Sequence, residues 1–89
     1  MLVNLVEILK TAEESKGAVG AFNTPNLECV IAVLDAAERL KVPVILSHAE
    51  LHEPASALAV IGPVMVEAAK RAKVPVCVHL DHCETFSYM

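Results

Sequence analysis

The chain has 89 residues, with 7 Lys plus Arg against 11 Asp plus Glu and a formal charge of −4. That balance excludes a basic nucleic-acid binder, which needs clustered cations against phosphates. An apolar content of 55% excludes a disordered chain, and no apolar run approaches the roughly 20 residues of a membrane span.

With two Phe, one Tyr and no Trp, the core has to come from Val, Ile, Leu and Ala. The start, MLVNLVEILK, lacks the basic region of a signal peptide. Three cysteines without framework spacing point to a reducing compartment. The expectation is a cytoplasmic protein.

Leu5, Ile8 and Leu9 at helical spacing predict a first helix over 3–16. Asn4 and Glu7 make its capping box, and Gly17 is its stop signal. Residues 18–22, AVGAF, form a short strand. Thr24-Pro25 reads as the cap and first residue of a second helix, over 25–40. That helix puts Leu27, Val30, Ile31 and Leu34 on one face. It sets Asp35 and Arg39 four apart on the other, as an exposed ion pair. A second strand covers about 43–47. Residues 48–62 are loop-like, with room for a short helix. Gly62-Pro63 starts a third helix to about 72, and a third strand covers about 75–80.

Residues 36–44, AAERLKVPV, and 68–76, AAKRAKVPV, match at seven of nine positions, 32 residues apart. A helix-then-strand period of that size is a βα unit. Strands joined by such helices pair in parallel, and nearly continuous apolar strands indicate cover on both faces. The fold class is α/β, either a small domain or the opening part of a (β/α)8 barrel. A full barrel takes about 250 residues.

In parallel α/β folds the chemistry gathers at the C-terminal ends of the strands. Asn23, Ser47, His48 and the run His79–Cys83 all fall there. A carboxylate beside imidazoles suits general base and metal-ligand work. Alternation puts Cys77, His79 and Asp81 on one side of the third strand. Plainer roles stand beside these. Asp81 serves as a turn cap, His79 as a core imidazole, and His82, His48 and His52 as solvated side chains. His48 and His52, four apart, are also a metal pair if helical. Ser47 or Asn23 caps a helix, and the cysteines act as small hydrophobes.

The stretch GAVGAFNTPNLECVIAVLDAAERLKVPVILSHAE followed by VPVCVHLDHCETF resembles the N-terminal part of the class II, zinc-dependent fructose-bisphosphate and tagatose-bisphosphate aldolases. The AFN and HLDH pieces with PVI between them carry the resemblance, which spans nearly the whole chain. It implies an N-terminal portion, about three βα units, of a (β/α)8 TIM barrel, with residues 1–89 as a single incomplete domain. It implies cleavage of a ketose 1,6-bisphosphate, fructose or tagatose, to dihydroxyacetone phosphate and glyceraldehyde 3-phosphate. Asp81 is then the acid/base at the substrate C4 hydroxyl, and His82 the first of three His ligands to Zn2+. Ser47 contacts a substrate phosphate and Asn23 lines the substrate pocket. Cys83 stands where many relatives have His or Gly, and it receives no role. The other two zinc ligands and the Gly-rich phosphate loops are expected beyond residue 89, so the ending CETFSYM reads as a truncation. The chain alone is expected to be inactive and to self-associate, as a homo-oligomer, through open sheet edges. The competing expectations are a short partial-barrel assembly or binding module without catalysis, and an unrelated small α/β metal or ligand binder.

Overall fold

The computed structural model describes residues 1–88. Asn4 opens α1 (Leu5–Glu14) with a reciprocal cap. Its side-chain oxygen accepts from the Glu7 N–H at 2.8 Å, and its amide donates to the Glu7 carboxylate at 3.0 Å. Ile8 and Ala12, one turn apart, are the buried stripe. The left-handed stop falls on Lys16, at φ 56°, rather than on Gly17. Gly17 N–H then closes on the Ala12 carbonyl at 2.9 Å. The same arrangement ends α2 (Leu27–Leu40), with Lys41 at φ 56° and Val42 N–H on the Ala37 carbonyl at 3.0 Å.

Two helix starts differ from the sequence expectation. The cap of α2 is Asn26, not Thr24: its side-chain oxygen accepts from the Cys29 N–H at 2.8 Å. Asn caps as well as Thr does, and Pro25 lies just ahead of the cap. The third helix, α3 (Leu58–Arg71), begins four residues before Gly62 and carries Pro63 inside it. Ala57 has no side chain to cap with. Glu53, further upstream, supplies the cap by accepting from the Leu58 N–H at 2.8 Å. Pro63 deletes a single helical donor near this end, and a carboxylate on the first turn favours the start. Residues 50–52 form a one-turn 3-10 helix, and so do 86–88, where no helix was expected.

The strands are β1 (Ala21–Asn23), β2 (Val44–Ala49) and β3 (Val76–Asp81), parallel and in the order β1-β2-β3. Each ends one or two residues later than the apolar runs suggest, so the polar residues at their ends are ladder members. Val44 pairs with Val76, which is the 32-residue offset of the sequence repeat. The two copies therefore occupy equivalent places, each leading a helix into its strand.

Alternation gives the sheet two different faces. Val44, Leu46 and Val76 pack on one face against Val30, Leu34 and Ala37 of α2 and Ile61, Met65 and Ala69 of α3. Ile45 and Cys77 pack on the other against Ile8 of α1, with Val3 and Val19 beside them. β2 is buried along its whole length, whereas β1 is exposed throughout. Residues 1–3 run along the start of β3, with Val3 N–H on the Val76 carbonyl at 2.9 Å. The outer edge of β1 lies open beside an apolar groove that Ala12, Phe22, Val33, Leu40 and Val44 help to line. Among the described residues no helix is long and apolar enough to cross a membrane.

Candidate active site

The ladder places Asn23, Ser47 and His79 in one row across the three strands. Their positions share the face of Ile45 and Cys77, which α1 covers only at its lower end. Asp81 lies on the same side one step further along, paired with Ala49. Three of the four residues singled out from the sequence thus converge on one face of the sheet. His82 follows Asp81 where the ladder ends.

Asn23 is exposed and caps no helix. Ser47 is buried, and its hydroxyl has no partner among the described residues. The hydroxyl of the neighbouring Thr24 is buried and unpartnered as well. Thr24 is tied to the same strand end by its N–H on the Ser47 carbonyl at 3.0 Å. An orphaned buried hydroxyl costs roughly 1–3 kcal/mol.

Asp81 does not act as a turn cap: its two carboxylate oxygens face imidazoles. Oδ2 is 3.4 Å from His82 Nε2, and Oδ1 is 3.7 Å from His79 Nε2. His79 is not a core residue. It shares with Asp81 a side-chain exposure of 37%, against 82% for His82. His82 takes the left-handed conformation at φ 49°, a strain of roughly 1–2 kcal/mol for a residue with a Cβ. Such strain persists where the surroundings hold it. The turn permits what strand alternation forbids, with adjacent Asp81 and His82 side chains on one site.

Among the described residues, no group of three or more His, Cys, Asp and Glu side chains is placed to hold a metal ion. A catalytic zinc takes three protein ligands. The exposed imidazole of His82, with a carboxylate beside it, fits a share in such a site and not the whole of one.

A second cluster was missed in the sequence. His48 is buried rather than solvated. It lies on the helix-facing side of β2, and its Nε2 is 3.0 Å from the Tyr88 hydroxyl. Tyr88 donates its one proton to Glu53, so His48 Nε2 carries a proton and donates to the Tyr88 oxygen. Burial, and then the nearby His52, push the His48 pKa below 6.5. The Tyr88 hydrogen bond, followed by the one from Leu58 N–H, lowers the Glu53 carboxyl. Burial and Glu53 push Tyr88 up to about 12. The His48 and His52 rings sit edge-on with centroids 6.0 Å apart. Among the described residues each has a buried Nδ1 without a partner, and the pair gathers no third ligand. Only hydrophobicity at 44–47 and an aromatic 40 residues away hinted at this cluster. Cys77 is buried and Cys83 half-buried, and burial raises both thiols, so neither is a ready nucleophile.

Residues 3–89 match the family described as fructose-bisphosphate aldolase class-II. A fructose-bisphosphate aldolase of Thermus caldophilus is 45% identical over 86 residues, covering 97% of this chain and 28% of the relative. A 6-phospho-5-dehydro-2-deoxy-D-gluconate aldolase of Halalkalibacterium halodurans is 35% identical, over 91% of this chain and 29% of the relative. The crystal structure of the YdjI aldolase from Escherichia coli K12 superposes with a TM-score of 0.91 at 32% identity, over 98% of this chain and 34% of that one. The chain therefore spans about three tenths of the length of the relatives it matches. Its three parallel strands, alternating with helices, are the N-terminal part of a TIM barrel such as those aldolases have. The chain belongs to the class II fructose-bisphosphate aldolase family.

Proposed function

We propose that this chain is the opening three βα units of a zinc-dependent, cytoplasmic class II aldolase whose remaining strands lie outside it. The reaction is reversible cleavage of a ketose 1,6-bisphosphate, fructose or tagatose, to dihydroxyacetone phosphate and glyceraldehyde 3-phosphate. The relative named for a phosphorylated deoxygluconate leaves the phosphorylated sugar as the common element.

The observation that carries this reading is the pairing of Asp81 and His82 at the end of β3, in the turn beyond the row of Asn23, Ser47 and His79. A half-exposed carboxylate that caps nothing can take a hydroxyl proton and return it. In cleavage Asp81 accepts the proton of the substrate C4 hydroxyl, and in condensation it gives that proton back. His82 supplies one imidazole to Zn2+, which when bound provides Lewis-acid stabilisation of the negative charge that develops on the ketone phosphate. Two further ligands come from segments this chain does not contain. The Ser47 hydroxyl donates to a substrate phosphate oxygen, and Asn23 lines the pocket. Without the later strands the chain binds zinc weakly and does not turn over, and its open β1 edge and apolar groove favour self-association as a homo-oligomer.

Two variants of the complete enzyme test these roles. Asp81→Ala keeps its zinc and loses about 10²–10⁴-fold in kcat, the usual yield of a positioned acid/base. His82→Ala loses zinc on dialysis. Zinc retained at the wild-type level in the His82 variant would remove the assignment.

A further inference from the structure

The turn that carries His82 is fastened on both sides to the same point of the sheet. Asp81, the last residue of the β3 ladder, pairs with Ala49. The next residue along β2's chain, Glu50, reaches over the turn to the segment that leaves it. Its Oε2 accepts from the Glu84 N–H at 3.2 Å and its Oε1 from the Thr85 N–H at 3.3 Å. Oε1 also accepts from the Thr85 hydroxyl. The carboxylate thereby sits at the start of the 3-10 turn 86–88, where Tyr88 N–H closes on the Thr85 carbonyl at 3.3 Å. Three residues further on from Glu50, Glu53 takes the Tyr88 hydroxyl proton and holds the Leu58 N–H.

Only His82 and Cys83 remain between the last ladder residue and the first clamped N–H. Two residues spanning two fixed ends have little freedom, and one of them is the left-handed His82 at φ 49°. A strained backbone at a site persists when its surroundings over-determine it. Here the ladder does so on one side and the Glu50 carboxylate on the other.

We infer that Glu50 is a positioning residue: by clamping residues 84 and 85 it fixes the turn that presents His82 to the metal and Asp81 to the substrate. This rests on the roles proposed for His82 and Asp81. Partners that orient metal ligands from outside the ligand set typically change affinity by about 10–100-fold.

The test uses the complete enzyme with Glu50→Ala, Glu50→Gln, Thr85→Val and His82→Ala. Zinc dissociation constants are read by chelator competition well below the melting temperature, and kcat and KM are measured on the zinc-loaded protein. Glu50→Ala is expected to weaken zinc about 10-fold and to lower kcat with KM nearly unchanged. Glu50→Gln keeps an oxygen for Thr85, so it recovers most of both. Thr85→Val preserves the shape of residue 85 and shifts the constants in the same direction by less. It carries the test if Glu50→Ala fails to fold. A residue that merely stabilised the fold would lower the melting temperature and leave the zinc constant alone. Wild-type zinc affinity and kcat in the folded Glu50 and Thr85 variants, with zinc lost in His82→Ala, overturns the inference alone. Zinc retained in His82→Ala overturns the site reading and the inference together.

Discussion

The two faces of the sheet are made from the same three strands and do different work. On the helix side Leu46, Val76, Val30 and Met65 have no exposed surface, and the face is closed by α2 and α3. On the opposite side Ile8 seals the lower half, while Ser47 keeps a buried, unpartnered hydroxyl and Asp81 and His79 stay half-exposed. Residues one position apart along β2, Leu46 and Ser47, thus belong to different problems. One packs in the core, and the other keeps a hydroxyl without a partner among the described residues. Alternation along a strand lets a small βα unit separate stability from chemistry.

Breaking the helix-side face is expected to have the largest effect on stability. Leu46→Ala removes a side chain with 0% exposure from the middle of the core and should cost about 2–5 kcal/mol. Denaturant melts of the complete enzyme measure it. At temperatures where the variant stays folded, its zinc content should match wild type. A loss of zinc there would mean that the two faces are not separable.

A smaller effect comes from protons, and it sharpens the comparison because its groups sit behind the sheet. His48 has its folded pKa lowered from 6.5 by burial and His52. The unfolded chain therefore takes up that proton first as pH falls. Its contribution is complete above the unfolded value and is lost as pH drops through 6.5 toward the lower folded value. Glu53, lowered by its bond from Tyr88, behaves with the same sign at more acid pH. Its contribution is present above 4.5 and is lost as pH falls through the folded value. Melting temperature should decline in two stages, the first as pH falls below 6.5 and the second as it falls below 4.5, and His48→Gln should remove the first. A single decline confined to the carboxylate range would show that His48 is not held neutral by the fold.

Much of the fold was legible because its signals are local. The reciprocal cap of Asn4 and Glu7 lies within four residues. The repeat around Val42-Pro43-Val44 and Val74-Pro75-Val76 announces its own register. The start of α3 was not legible. Gly62-Pro63 looks like a boundary, and the true cap is a carboxylate five residues before Leu58. The site divides in the same way. Asp81 and His82 stand together in the chain, and Ser47 and Asn23 end their strands, so their gathering at one end of the sheet was legible from motif and alternation. His79 read as a core residue because its exposure depends on how far α1 reaches across the sheet. His48, Glu50 and Glu53 acquire their meaning from residues 84–88, more than 30 positions away, and no spacing rule links them.

The central claim is that His82 contributes one imidazole to a catalytic zinc that the rest of the barrel completes. The direct measurement is an anomalous difference map at the zinc edge from crystals of the complete, zinc-loaded enzyme. The account predicts a single strong peak about 2.0–2.1 Å from a ring nitrogen of His82, with the Asp81 carboxylate beside it. A peak bound elsewhere, with His82 free of metal, would contradict it.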